Sequence, residues 1–289
     1  ETNNRVYAFA TDFSNSDPNS RATSSATCLI LEFDLANPGT PNTLVSGFFL
    51  NFNKEFPIYG VNLLEELLFW TDNFNQPRRI SLSKAIGDNT FYDNNIKVNV
   101  AKYSPHLAPT MVMSYDNTVT STYIEDKFVR FSYRFKYEND EYSQIAPFSQ
   151  IAFKTENNTL TAQQIEDAYS QGILNNFVNY INVVTLSIPL PTNSFTDYQI
   201  TSVEVLMKDA NSLAVRLVKN IELTPADDLE TEVTYVYSSE IPVSTIPNDQ
   251  VIRVSDNVPM KALAQEIVSN RLVYGNYTEN INPINLDFS

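Results

Sequence analysis

Residues 128–137 read FVRFSYRFKY, and their side chains alternate without a break. Phe128, Arg130, Ser132, Arg134 and Lys136 fall on one side, and Val129, Phe131, Tyr133, Phe135 and Tyr137 on the other. A period of two is the strand period, and a face made only of apolar and aromatic groups has to be buried. This segment therefore sets both a β-strand and the side of it that meets a core. The polar triplet END at 138–140 supplies the turn of a hairpin.

The same grammar recurs along the chain. RVYAFAT, CLILEFDL, TLVSGFFLNF, GVNLLEELLFWTD and RRISLSKA read as strands in the first 85 residues. VVTLSIPL, ITSVEVLMKDA, AVRLVKNIEL, TEVTYVYSS and QVIRVSD follow later. Six glycines in 289 residues is far below the usual ~7 per cent, so Asn, Asp, Pro and Ser must make the turns. The shortage also removes phosphate-cradling loops of the P-loop or dinucleotide-binding kind. Helix is expected once, at 161–181, where Thr161 and Gln164 have capping-box spacing. Ile165, Ala168, Ile173, Phe177 and Ile181 follow there at helical intervals, with Gly172 a break. A short helical turn is read at 259–267, then a strand at 271–277.

The fold class expected is all-β, in two domains. Prolines 105 and 109 in YSPHLAP mark a boundary. Residues 104–252 have the size and strand count of an immunoglobulin- or fibronectin-like sandwich without the Cys-Trp-Cys core. Residues 1–103 and 253–289 form the other domain around that insertion.

Composition removes several functions. The 34 acidic against 19 basic residues give a formal charge of −15, and such a surface repels phosphate, so sequence-specific nucleic-acid binding is not expected. Cys28 is the sole cysteine, lies in an apolar run, and reads as a small buried hydrophobe. His106 is the sole histidine, which rules out a transition-metal site with several His or Cys ligands. It also lacks the strand-turn-helix context of a serine nucleophile. Two carboxylates sharing a cleft would suit glycoside hydrolysis. The candidates Asp72, Glu125, Asp126, Asp140, Glu141, Asp227 and Asp228 sit in polar turns and read as solvated surface. Tyr123, Tyr142 and Tyr198 are candidates for an adhesive surface, although strand aromatics usually belong to a core. IGDNTFYDNN has calcium-like composition but not EF-hand spacing. No catalytic residue, cofactor or metal is assigned, and no apolar window reaches the ~18–20 residues of a membrane-spanning helix.

LLFWTDNFNQPRRI, at 67–80, resembles the repeat of YWTD-type β-propellers: aromatic-Trp-Thr-Asp on one strand, a turn, then a basic-Ile pair opening the next. The resemblance, which begins at Phe69, implies that Trp70 and Thr71 pack between blades. It also implies that Asp72 bonds turn backbone and that Arg78 and Arg79 begin the following strand, with Pro77 and Ile80 as further motif positions. The wider layout is similar to the muzzle, or tail-nozzle, proteins of crAss-like and related short-tailed bacteriophages. It does so through ILEFDL, LVSGFFLNF, PIYGVNLLEELLFWTDNFNQPRRI, FVRFSYRFKYENDEYSQIAPFSQIAF, ITSVEVLMKDANSLAVRLVKNI and NVPMKALAQEIVSNRLVYGNY. Asn270, Arg271 and Tyr274 carry the likeness on the returning strand. This family resemblance implies a propeller-like region interrupted by an Ig-like insertion. The strands outside the insertion suffice for about one to two blades, so a segment of a larger propeller is expected. The function it implies is structural: a homo-oligomeric ring, six-fold, around the DNA exit channel in the virion. Its partners would be portal or ring adaptor proteins and tail fibres, with DNA passing during ejection. An adhesion or receptor-binding module for host glycan or a fibre is the alternative.

Overall fold

The computed structural model describes residues 4–37, 39–154, 161–171, 179–251, 258–269 and 271–279. It consists mainly of antiparallel β-sheets with few helices, and it divides into two compact units. The first comprises residues 1–102 with 256–289, the second residues 103–255.

The first unit opens with β1 (Arg5–Thr11), β2 (Cys28–Asp34) and β3 (Asn42–Ser46), an antiparallel sheet in that order. Phe9 lies opposite Ile30 and Thr11 opposite Cys28, so alternate side chains share one inner face. A bulge between Ile30 and Leu31 lets consecutive Leu44 and Val45 both be fully buried. A 3-10 turn at Phe48–Leu50 then ends at Asn51 in the left-handed region, φ 48°. A second sheet follows, ordered β4 (Gly60–Leu64), β5 (Leu67–Thr71), β6 (Arg78–Ser81). One apolar cluster joins the two sheets through Cys28, Ile30, Leu44, Leu68, Trp70 and Ile80.

RRISLSKA does not stay extended. The strand stops at Ser81, whose hydroxyl accepts from Lys84 N and caps α1 (Leu82–Gly87). Leu82 and Ala85, three apart, drop into the same core. Asn94 caps α2 (Asn95–Val98) by accepting from Ile96 N and Lys97 N. The helical content is thus more than the single helix expected.

The second unit holds β7 (Thr110–Ser114), β8 (Val129–Tyr137), α3 (Ala162–Gln171), β9 (Val183–Pro189) and β10 (Ile200–Asp209). It continues with β11 (Val215–Glu222), β12 (Glu232–Tyr237), β13 (Ser244–Thr245) and α4 (Asn248–Val251). Its sheets are ordered β13-β11-β10-β8 and β12-β9-β7. Phe131, Tyr133, Phe135 and Tyr137 of β8 and Val203, Val205 and Met207 of β10 share one core with Val184, Leu186, Ile188 and Tyr237 from the other sheet. The arrangement is a two-sheet sandwich. At α3, Thr161 Oγ1 accepts from Gln164 N (3.3 Å) and Gln164 Oε1 from Thr161 N (3.0 Å). Gly172, Ile173 and Phe177 lie outside the described residues, while residues 179–181 are not helical and Ile181 joins the sandwich core.

The opposite face of β8 is covered as well, which strict alternation does not foretell. Arg134 and its cross-strand neighbour Glu204 form a buried ion pair at 2.6 Å, with the Tyr142 ring 4.0 Å from the guanidinium and Gln250 Oε1 accepting from Nη1. Beside them Leu206, Val215 and Ile246 pack with Ile145 and Phe148.

The segment that covers this face also explains an irregular hairpin. After the turn at 138–140 the chain returns as SQIAPF and then SQIAF, a repeat starting at Ser143 and Ser149. Its N–H groups reach the β8 carbonyls in a stepped series: Ser143 to Phe135, Ala146 to Tyr133, Ser149 to Phe131, Ala152 to Val129. The return takes three residues for every two of β8, so a backbone carbonyl is out of register at each second step. A serine hydroxyl replaces it. Ser143 Oγ accepts from Phe135 N (2.9 Å) and Ser149 Oγ from Phe131 N (3.0 Å), and each donates to the next residue's carbonyl at 2.7 Å. Ser149→Ala leaves the buried Phe131 N–H without an acceptor and is expected to cost about 1–3 kcal/mol. Urea denaturation with an unchanged slope measures it.

The chain re-enters the first unit as β14 (Lys261–Val268) and β15 (Arg271–Thr278), an antiparallel hairpin. The helical turn read at 259–267 is therefore strand from Lys261 onward. Pairing to β15 and packing on the second sheet override the local pattern. Asn73 N donates to Ala262 O (3.0 Å). At Gly60 an added Cβ would lie 2.8 Å from Gln265 Cγ and 3.1 Å from Gln265 N, so the hairpin needs a residue without a side chain there.

Candidate functional site

Strand β5 separates its residues by pleat. Leu68 and Trp70 face the core shared with the first sheet, where the indole lies 5.5 Å from the Phe9 ring and 6.1 Å from Phe52. Phe69 and Thr71 are on the other side, also buried, and Thr71 pairs with Gly60. An added Cβ at Gly60 would lie 2.7 Å from Thr71 Oγ1, so this is the face against which Gln265 of β14 packs. Tyr274, opposite Gln265 on β15, has its hydroxyl buried and its pKa raised by desolvation, with the charge of Arg79 opposing.

Beyond Thr71 the chain turns through Asn73, φ 54°, and the buried Asp72 closes the turn. Its Oδ1 accepts from Phe74 N (2.9 Å) and Asn75 N (2.7 Å), and its Oδ2 from Asn75 Nδ2 (2.6 Å). The Asn75 amide carries the network onward. Nδ2 donates to Asn51 O (3.0 Å), and Oδ1 accepts from Asn51 Nδ2 (2.6 Å) and Arg78 Nη2 (3.3 Å). Asn51 Oδ1 in turn accepts from Ala22 N (2.7 Å).

Arg78 completes the network. Its Nη1 donates to Leu50 O and its Nη2 to Phe49 O. Desolvation lowers its pKa to about 10, with the charge of Asp72 opposing the fall, and the guanidinium stays cationic at neutral pH. Pro77 O accepts from Val100 N (3.0 Å), and Ile80 is fully buried in the core. The motif thus ties residues 22, 49–51 and 72–78 into one knot.

Of the positions singled out on the returning strand, Tyr274 reaches this sheet. Arg271 is exposed at the far end of the hairpin, opposite Val268, and Asn270 lies outside the described residues. Asn51 and Asn75 are the members that motif matching missed. The available signal was the asparagine density of LNFN and DNFN, because a left-handed turn in a glycine-poor chain falls to Asn.

The network holds backbone and offers no proton-transfer pair, since both oxygens of Asp72 accept from N–H groups. Four of the other carboxylate candidates are engaged as well. Asp227 accepts from Thr224 N and Oγ1, Asp228 from Phe195 N and Thr196 N, while Asp126 pairs with Lys127 and Asp140 with Lys136. The aromatic candidates are engaged too. Arg216 donates to Tyr123 OH, and the Tyr198 ring lies 5.0 Å from Tyr103. His106 faces the Tyr103 hydroxyl, and Cys28 is fully buried beside Thr11. Among the described residues no three His, Cys, Asp or Glu gather as a metal site, and no helix is long and apolar enough to cross a membrane.

Beside the knot opens a cleft of about 460 Å³, with Phe48, Phe49, Asn51, Asn75, Arg78 and Lys261 in its wall. Neither a protein-family model nor a curated protein matches the chain.

Proposed function

We propose that the chain is a structural component of a bacteriophage tail nozzle, built from a propeller-like region and an inserted immunoglobulin-like sandwich. The observation that carries this reading is the use made of the WTD stretch. Trp70 packs between sheets, and Asp72, Asn75 and Arg78 direct their polar groups at backbone and at one another. A motif used in this way gives a rigid building block and leaves function to assembly. The unit formed from both ends of the chain and the sandwich unit between them in sequence agree with the layout of the muzzle resemblance.

In this role copies form a six-fold ring around the DNA exit channel, with portal or adaptor proteins on one side and fibres outside. The net charge of −15 disfavours counterion release from DNA, so a passing duplex does not adhere. No residue has a catalytic part.

The full-length protein is expected to form ring-shaped particles in negative-stain images, with a matching sedimentation coefficient. A species that stays monomeric at high concentration overturns the proposal. The cleft beside the knot favours a second reading, an adhesion module.

A further inference from the structure

The walls of the cleft differ in charge from the rest of the molecule. In a chain with 34 acidic and 19 basic residues, Arg21, Arg78 and Lys261 line it, and no Asp or Glu does among the described residues. Neither Arg21 nor Lys261 pairs with a carboxylate among those residues. Arg21 is held in place, its Nη1 donating to Pro18 O and Ser20 O and its guanidinium 4.8 Å from the Phe74 ring. The Nε of Arg78 is buried without a hydrogen-bond partner among the described residues.

Two further kinds of group complete the wall. Asn95 and Asn99 keep their side-chain amides free of hydrogen bonds among the described residues, and Gln76 has only a 3.6 Å contact from Nε2 to Met260 Sδ. Phe48 is 47 % exposed at the rim. The amides can donate and accept together, which suits hydroxyls, while the cations suit a carboxylate. The exposed ring offers a flat face for the C–H side of a pyranose.

We propose that this cleft binds an acidic saccharide. Its carboxylate lies between Arg21 and Lys261, its hydroxyls meet Gln76, Asn95 and Asn99, and one ring covers Phe48. The volume of about 460 Å³ lies within the usual ~300–1,000 Å³ of ligand pockets. A glutamate-rich peptide would satisfy the cations but leave three amides without hydroxyl partners. A nucleic acid would bring its continuous charge against an acidic molecule. The site belongs to the first unit alone and does not depend on ring assembly.

Calorimetric titration of the full chain at low salt compares a trisaccharide of galacturonic acid, a glucose trisaccharide and triglutamate. The uronate is expected to bind and the other two to bind more weakly. Arg21→Glu and Lys261→Glu should each weaken the uronate about tenfold or more without moving the melting temperature, and Phe48→Ala should weaken all sugars. Absence of uronate binding, equal binding of acidic and neutral sugars, tighter binding of triglutamate, or unchanged affinity in both charge-reversal variants each overturns the assignment. Rings that form normally while the uronate fails to bind remove this site and leave the nozzle reading standing.

Discussion

Trp70→Ala should cost about 3–5 kcal/mol, the range for removing a large buried aromatic from a core that relaxes only in part. The indole is 1 % exposed and sits against Phe9 and Phe52. Deleting it opens a void between the two sheets of the first unit, where Leu68 and Ile80 on one side and Ile30 and Leu44 on the other lose contacts together. Circular dichroism melts and urea denaturation measure the loss. Trp70→Phe separates packing from hydrogen bonding. Trp70 Nε1 has no partner among the described residues, so phenylalanine loses ring area and no hydrogen bond, and most of the stability should return. An unchanged melting temperature for the alanine variant, with a lost binding activity, would instead place Trp70 in a site.

How far such packing can be read beforehand depends on which interactions are local. The aromatic face of β8 was legible, because alternation carries both the strand and its buried side, and Phe131, Tyr133, Phe135 and Tyr137 all lie in the sandwich core. The capping pair Thr161 and Gln164 was legible for the same reason, as its two hydrogen bonds span three residues. The strand at 261–268 was not. Its pattern fits a helical turn locally, and what makes it extended is the partner at 271–278 and the gap left by Gly60. Burial of Arg134 escaped as well, because its partner Glu204 is 70 residues away. The hydroxyl-closed ladder left a visible trace in the repeated SQIA, yet its meaning needs the three-to-two register with β8. In the knot, Asp72 and Arg78 stand out in the sequence, whereas Asn51 enters only through the fold that brings residue 51 to residue 75.

Arg78 shows what that knot is worth. Arg78→Met keeps most of the side-chain volume but removes the donors to Leu50 O, Phe49 O and Asn75 Oδ1. It also takes away the cation that the charge of Asp72 favours. Leaving those buried acceptors without their donor costs about 1–3 kcal/mol each. Lysine in its place retains the charge but not the planar fork that reaches several acceptors, so Arg78→Lys should recover only part. Arg271, grouped with Arg78 by motif alone, is exposed, and Arg271→Ala should change stability by no more than about 0.5 kcal/mol. Urea denaturation of the three variants decides between a structural and a peripheral Arg78. If Arg78→Met costs no more than Arg271→Ala, the knot does not hold the turn. If the loss is large and Asp72→Asn added to Arg78→Met restores part of it, the two groups are coupled through the buried charge, as residues in one network should be.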